Sequence, residues 1–156
     1  MTGIDRICDG LAAAEATGTR VWTPFHLILL SEALALTGKI EEGLAALDDA
    51  LAKAAISGVR GWDAEIHRLR GELTARLLYP DPAKTEDSFR TALAIAREQG
   101  TRGYELRAAT SLARLWREHG RRGEARDLLA PLYGWFTEGF DTADLKEAKQ
   151  LLDELT

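Results

Sequence analysis

Glycine recurs along this chain at a nearly constant interval. Six glycines keep a spacing of twenty or nineteen residues within two runs: Gly18, Gly38 and Gly58, then Gly100, Gly120 and Gly139. Glycine ends helices because it adopts the left-handed backbone conformation without a steric cost. A helix of about sixteen residues and a short turn fills one interval, so the spacing predicts consecutive helices joined by tight turns.

Apolar periodicity agrees with this spacing. Ile40, Leu44 and Leu47 follow each other at steps of four and three, which places them on one side of a helix. Asp81 followed by Pro82 is a favourable helix start at the point where the glycine interval is interrupted. We therefore predict an all-α protein with helices near residues 3–17, 24–37, 40–57, 62–78, 82–99, 103–119, 122–137 and 142–155.

The sequence also repeats at a longer interval of 40 to 42 residues, which is about twice the glycine spacing. Trp22, Trp62 and Tyr104 mark it just before alternate helices. Three segments align as the second helices of successive pairs: EEGLAALDDALAKAAISGVR at 41–60, TEDSFRTALAIAREQGTR at 85–102 and GEARDLLAPLYGWFTEG at 123–139. Internal repeats of this length are typical of a helical solenoid, in which each pair buries its apolar side by stacking on its neighbour.

The repeated positions resemble the tetratricopeptide repeat (TPR). Small residues, Ser31, Gly71 and Ala113, stand in the first helix of each pair, and Gly38 and Gly120 stand at turns. The second helices carry small and large apolar residues at Gly43, Leu47, Ala50, Phe89, Ala92, Ala125, Leu129 and Leu132, with Thr85 as a departure. The resemblance implies a TPR-like α-α superhelix, or solenoid, of antiparallel hairpins.

We accordingly predict one TPR-like helical repeat domain over residues 1–156. It consists of an odd helix at 3–17, hairpins at 22–58, 62–100 and 103–138, and a capping helix at 142–155. The final helix has a charged outer side, as the end of a repeat array requires. Tyr133 and Phe136 share the apolar side of Leu129 and are expected to pack at the joint with the capping helix. The alternative for these aromatic residues is a ligand pocket near Trp135.

Two longer stretches carry a narrower resemblance, EIHRLRGELT at 65–74 and ATSLARLWREHGRRGEARDLLAPLYGWFTEGFDTADLKEAKQLLDEL at 109–155. They are similar to the C-terminal repeat region of bacterial multidomain signalling regulators that join an AAA-type or STAND-type ATPase to an adenylate or guanylate cyclase or a DNA-binding domain. The resemblance implies a segment without chemistry of its own, either a fragment or a free-standing relative.

The composition and the motif content of the chain exclude several classes of function for this protein. A net charge of −5 argues against duplex nucleic acid as a partner. The single cysteine, Cys8, excludes an internal disulfide, and the longest apolar run is too short to cross a bilayer, so we predict a cytoplasmic protein. No phosphate loop, nucleophile elbow or zinc-protease motif is found, and the Asp63 and His67 pair lacks a third metal ligand. We predict no enzyme activity, cofactor or metal.

The repeat register predicts a concave surface made by the first helices. Its candidate partner-binding residues are Glu65, Arg68, Glu72 and Arg76 on the middle first helix, Arg107, Thr110, Arg114 and Arg117 on the next, and Phe25 and Ile28 on the earliest. Arginine forks in such a groove could hold the carboxylates of a partner peptide. The alternative is a solvated surface joined by pairs four residues apart.

These observations predict a non-catalytic protein-interaction or regulatory scaffold that binds a partner protein or peptide on its concave surface. The helix at 3–17 matches the second helix of a hairpin without a first, so this end is expected to dock on an upstream ATPase or cyclase domain or on a second copy. Alternative functions are homo-oligomerisation, or small-molecule sensing within a multidomain regulator.

Overall fold

The computed structural model describes residues 3–18 and 21–156, which form eight helices and contain no strand. The helices are α1 (Gly3–Ala16), α2 (Thr23–Leu36), α3 (Ile40–Ser57), α4 (Asp63–Ala75), α5 (Pro82–Gln99), α6 (Arg102–Glu118), α7 (Arg122–Gly134) and α8 (Ala143–Glu154). The all-α class is confirmed. Residues 1, 2, 19 and 20 of the predicted domain lie outside the described residues.

Two helices end three residues earlier than predicted. Helix α4 ends at Ala75 because the chain must leave the helical conformation ahead of Pro80. Helix α7 contains Pro131 and ends at Gly134, two residues that weaken a helix. The connections before α5 and α8 are therefore longer than the sequence predicts.

The periodic glycines adopt the backbone conformation that their spacing predicts. All six have positive φ, between 67° and 79°: Gly18, Gly38, Gly58, Gly100, Gly120 and Gly139. An L side chain is strained at such angles, so glycine is required at these turns. The prediction that Gly139 ends a helix is wrong, because it lies in the connection between α7 and α8.

Each helix packs on the next one along the chain, and α6 also packs on α4 and on α8. The apolar interior has two parts. Leu47 and Ile66 are fully buried in the amino-terminal part, whereas Leu112 and Leu129 are fully buried in the carboxy-terminal part. None of the helices within the described ranges combines the length and the apolar character that a membrane-spanning segment requires.

Among the described glycines, Gly71 lies closest to a side chain of a neighbouring helix. A Cβ atom at this position would lie 2.5 Å from Cε1 and 2.6 Å from Cδ1 of Phe89. The equivalent small residues of the other pairs, Ser31 and Ala113, are fully buried. The need for a small residue here arises because α5 presses an aromatic ring directly onto α4.

Replacing Gly71 with alanine is therefore expected to lower the free energy of unfolding by about 1 to 3 kcal/mol, since the Phe89 ring must move out of a well-packed site. The matched control is Gly103→Ala in α6, where an added Cβ meets nothing within 4 Å. That variant should be neutral or more stable by up to about 1 kcal/mol, since alanine favours a helix. Urea unfolding of both variants measures the difference, and equal stability would contradict the close packing.

Trp116 joins helices α5, α6 and α7. Its Nε1 donates a hydrogen bond of 2.9 Å to Glu86, which also accepts from Arg90 and Arg121. The guanidinium carbons of Arg90 and Arg121 lie 5.2 and 4.5 Å from the centre of the indole ring. Desolvation raises the pKa of Glu86, but the hydrogen bonds from Trp116, Arg90 and Arg121 outweigh it and lower the pKa below its ordinary value.

The carboxy-terminal aromatic residues divide between interior and surface. Tyr133 and Phe136 pack against the buried apolar cluster, as predicted. Trp135 and Phe140 are exposed. Thr142 precedes α8, but its hydroxyl donates to the Gly139 carbonyl and does not cap the helix.

Candidate functional site

Charged side chains of α4, α6 and α8, together with Ser111, form a network of ion pairs and hydrogen bonds, and a separate Arg117–Glu154 pair lines the same cleft as its members Arg114 and Glu147; we call this whole set the charged face. Its members are Glu65, Arg68 and Glu72 of α4, Arg107, Ser111, Arg114 and Arg117 of α6, and Asp144, Glu147 and Glu154 of α8. Six of the ten predicted groove residues belong to it. The structure thus brings these six residues into one region of the molecule, where they pair with one another and with carboxylates of α8.

Glu65 is the most deeply buried charged residue of the charged face. Its two carboxylate oxygens accept hydrogen bonds of 2.8 and 2.9 Å from Arg68, and one of them lies 2.9 Å from Nη2 of Arg107. The side chains of Glu65 and Arg68 are only 7% and 11% exposed. Burial lowers the pKa of Arg68, but the hydrogen bond and charge of Glu65 outweigh this effect and raise the pKa.

Glu72 forms the second link between α4 and α6. Its Oε1 accepts from Arg68 at 3.2 Å and from the Ser111 hydroxyl at 2.7 Å, and it lies 3.5 Å from Nη1 of Arg114. This carboxylate therefore has partners on its own helix and on the neighbouring one. The result is a bridge between two helices rather than a free carboxylate.

Helix α8 completes the network from the other side. Arg107 lies 3.7 Å from Asp144. Glu147 and Glu154 pair with Arg114 and Arg117, respectively. Carboxylates of α8 thus bind the arginine guanidinium groups that the sequence predicted to bind a partner peptide.

Two predicted groove residues make other contacts, although Thr110 lines a cleft on the charged face. Thr110 is buried, and its hydroxyl donates to the Leu106 carbonyl of its own helix. Arg76 donates to the carbonyl of Ala35 at 2.8 Å and so binds the carboxy-terminal end of α2. Two clefts lie along the charged face, one of about 60 Å³ beside Arg68 and Arg107 and one of about 280 Å³ beside Arg117 and Glu154, and both are smaller than the roughly 300 to 1,000 Å³ of a ligand pocket.

Helix α2 presents apolar side chains to solvent. Phe25, Leu29 and Leu36 of this helix, together with Trp22 immediately before it, form what we call the α2 stripe. Trp22 is 52%, Leu29 37% and Leu36 85% exposed, while Phe25 is half-buried. Contiguous apolar groups on a surface mark sites of interaction more often than isolated ones do.

Aromatic contacts hold one end of the α2 stripe in place. The ring centre of Phe25 lies 5.0 Å from that of Trp62, and the ring centre of Trp22 lies 6.3 Å from that of Trp62. Trp22 and Phe25 also meet edge to face, with centres 6.4 Å apart. Tilted and edge-to-face arrangements are favourable for aromatic pairs. The contacts with Phe25 and Trp62 therefore hold the exposed indole of Trp22 in position.

Some contacts and exposed residues of the α2 stripe and of the charged face were not predicted from the sequence. Ile28 was expected to face a partner, but it is buried in the amino-terminal core, and the exposed neighbour is Leu29. The seven-residue spacing of Trp22, Leu29 and Leu36 was the signal for this face. Glu147 and Glu154 of α8 were assigned to a charged outer side, whereas they pair with Arg114 and Arg117 of α6.

Other candidate sites have less structural support. An open groove of about 490 Å³ lies beside Tyr133 and Phe140, but Trp135 does not line it. Trp135 instead contacts Phe136, with Arg102 5.2 Å above its ring. In the part of the chain that the structure describes, no group of three His, Cys, Asp or Glu side chains is arranged to hold a metal ion. Asp63 is buried and paired with Arg60 at 2.6 Å.

No protein-family model matches the chain. A segment of 114 residues, 73% of the chain, is 32% identical to part of an uncharacterized protein of Rhizobium meliloti (strain 1021). The chain spans only 11% of the length of that relative. A sequence similar to this one therefore exists as a small part of a much longer polypeptide.

Proposed function

We propose that this protein is a non-catalytic protein-interaction scaffold, built as a TPR-like superhelix, and that its partner docks on the α2 stripe. The observation that carries the proposal is the exposure of Trp22, Leu29 and Leu36 on one side of a helix. Burying an exposed leucine of this kind is worth about 1.5 to 3 kcal/mol. The stripe therefore offers apolar area that contact with another protein can bury.

Two features support the superhelix. Helix α6 packs on α4 and on α8 as well as on its neighbours in sequence, which is expected when the first helices of successive pairs lie side by side. Equivalent positions of α4 and α6 also carry residues of the same chemical type. Asp63 and Glu105 are both buried at the start of a first helix, and each is bound by an arginine three residues earlier, Arg60 or Arg102.

The charged face has a different role in this proposal. Its arginines already bind carboxylates of the same chain, so an acidic peptide gains little by replacing them. We assign these pairs to holding α4, α6 and α8 in register. The binding surface is then the α2 stripe.

The length of the Rhizobium meliloti relative supports a role as one module of a larger protein. We propose that the module belongs to bacterial signalling regulators in which a neighbouring ATPase or cyclase domain carries the chemistry. A cytoplasmic location follows from that assignment. The presence of Cys8 as the single cysteine is compatible with a reducing compartment.

The proposal is tested with a phage-displayed library of helical peptides selected against the wild-type protein. We expect the affinity of selected peptides for the Leu29→Glu/Leu36→Glu variant to fall at least about tenfold, because a charge is placed against the peptide's apolar side. Fluorescence polarisation of labelled peptides measures the change.

The matched control is Ile56→Glu/Leu78→Glu, which alters two exposed aliphatic residues away from α2. Its affinity should remain within about twofold of the wild type. Peptides that bind the α2-stripe variant as tightly as the wild type would show that the binding surface lies elsewhere.

A further inference from the structure

A polar cleft lies between α4 and α5 and shares no residue with the charged face or the α2 stripe. It has a volume of about 390 Å³, within the range of small-molecule pockets. Three lining residues of each helix determine its chemistry: His67, Arg70 and Thr74 of α4, and Asp87, Ser88 and Thr91 of α5. The cleft is therefore large enough for a small molecule and is lined by groups that form hydrogen bonds.

The polar character of this cleft departs from the other two helix pairs. In the repeat register described above, three of its positions have counterparts in both pairs. They are Arg70, Thr74 and Ser88 here, Leu30, Leu34 and Ala46 in the pair α2 and α3, and Leu112, Trp116 and Leu128 in the pair α6 and α7. All six counterparts are buried or pack against an apolar core cluster. The middle pair forgoes this apolar burial, which is expected where a groove binds a ligand instead of closing on itself.

The α4 wall of the cleft is positively charged. Asp48 of α3 lies 2.8 Å from Nη1 of Arg70, and in the described part of the chain the other N–H groups of this guanidinium have no partner. Burial lowers the pKa of His67, and the positive charge of Arg70 lowers it further against the opposite effect of Asp63. The charge of Arg70 therefore acts inside the cleft, where it favours a ligand group with negative charge.

The α5 wall offers hydrogen-bond acceptors and a negative charge. Among the residues that the structure describes, none forms a hydrogen bond or ion pair with the Asp87 carboxylate. The hydroxyls of Ser88 and Thr91 each donate to a carbonyl of their own helix at 2.9 Å, so their oxygens remain as acceptors. Lys84, the cation of this wall, is 79% exposed and lies 3.7 Å from Asp81. The wall thus favours a ligand group with positive charge and several N–H donors.

We propose that this cleft binds a free α-amino acid, with the ligand carboxylate on Arg70 and the ligand ammonium on Asp87, Ser88 and Thr91. Both charged groups of the ligand then form charge-assisted hydrogen bonds, and Arg70 and Asp87 are joined through the ligand. A simple anion leaves the α5 wall unsatisfied, and a simple cation leaves Arg70 without a ligand carboxylate. The site is separate from the α2 stripe, so the protein binds a small molecule as well as a partner.

The first test is a titration of the isotope-labelled protein with each standard amino acid, followed by two-dimensional ¹H–¹⁵N NMR. We expect at least one amino acid to shift the backbone amide signals of Ser88 and Thr91 in a saturable manner. Acetate carries the carboxylate alone and methylamine the ammonium alone, so each binds at least about tenfold more weakly than that amino acid. The inference is overturned if no amino acid shifts these signals, or if either half-ligand binds as tightly.

The second test changes the two walls. Asp87→Asn keeps the shape of an exposed side chain but removes its charge, and it lowers the affinity for the amino acid at least about tenfold. The matched control, Asp141→Asn, alters an exposed aspartate in the connection between α7 and α8 and changes the affinity less than about twofold. Equal affinities of the two variants would exclude the site.

A third variant separates ligand binding from folding. Arg70→Leu/Thr74→Leu/Ser88→Ala gives the cleft the residues that the pair α2 and α3 carries at these positions. We expect its melting temperature to equal or exceed that of the wild type, because apolar groups replace polar ones in the groove, while its binding of the amino acid is lost. A folded triple variant that binds the amino acid as tightly as the wild type would contradict the proposal.

Discussion

Replacing Glu65 with alanine is expected to lower the free energy of unfolding by about 3 to 5 kcal/mol, although the residue lies outside both apolar core clusters. The substitution removes the carboxylate that binds both Arg68 and Arg107. Arg68 is nearly buried, so it would be left with a charge that Glu72 and Glu32 compensate only in part. Urea unfolding followed by far-ultraviolet circular dichroism measures the loss.

The control is Glu98→Ala, which removes an exposed glutamate from the last turn of α5. Its effect should stay within about 0.5 kcal/mol, as is usual for surface substitutions. A Glu65→Ala variant as stable as this control would show that the charged face does not hold the helices together. Its arginines would then be available to a partner, and the peptide groove predicted from the sequence would regain its support.

Replacing Trp116 with alanine should destabilise the protein by about 3 to 5 kcal/mol, since it removes a buried aromatic ring. The ring is 7% exposed, lies between two guanidinium groups and donates to Glu86. Its loss opens a cavity where α5, α6 and α7 meet. Thermal and urea unfolding measure the effect.

Trp135→Ala is the matched control, because Trp135 is 56% exposed and its main polar contact is with Arg102. An exposed cation–π contact is worth about 0.5 to 1 kcal/mol, so this variant should lose no more than that. A larger loss at Trp135 than at Trp116 would contradict the division between buried and exposed aromatic residues described above.

The turns and helix starts could be predicted because their chemistry is local. A positive φ favours glycine regardless of what packs around it, which is why the spacing of Gly38 and Gly58 located helix ends. Asp81 accepts hydrogen bonds from the backbone N–H groups of Ala83 and Lys84, as expected of a helix cap before Pro82. In both cases the determining atoms lie within a few residues.

The surfaces were harder to predict because they depend on rotation. One position along a helix is a rotation of about 100°, so a small error in register exchanged the buried Ile28 for the exposed Leu29. The pairing of Arg114 with Glu147 depends on how α6 and α8 are turned relative to each other. That angle is set by the packing of both helices on α7, which the pattern of either helix alone does not contain.

The central claim is that binding depends on the apolar α2 stripe and not on the arginines of the charged face. The most direct test is the affinity of one selected peptide at about 0.1 M and about 1 M sodium chloride, between which the Debye length falls from about 10 Å to about 3 Å. We predict a change of less than about threefold, since apolar burial is not screened by salt. A fall of more than about tenfold, with unchanged binding to the Leu29→Glu/Leu36→Glu variant, would contradict the claim and place the partner on the charged face.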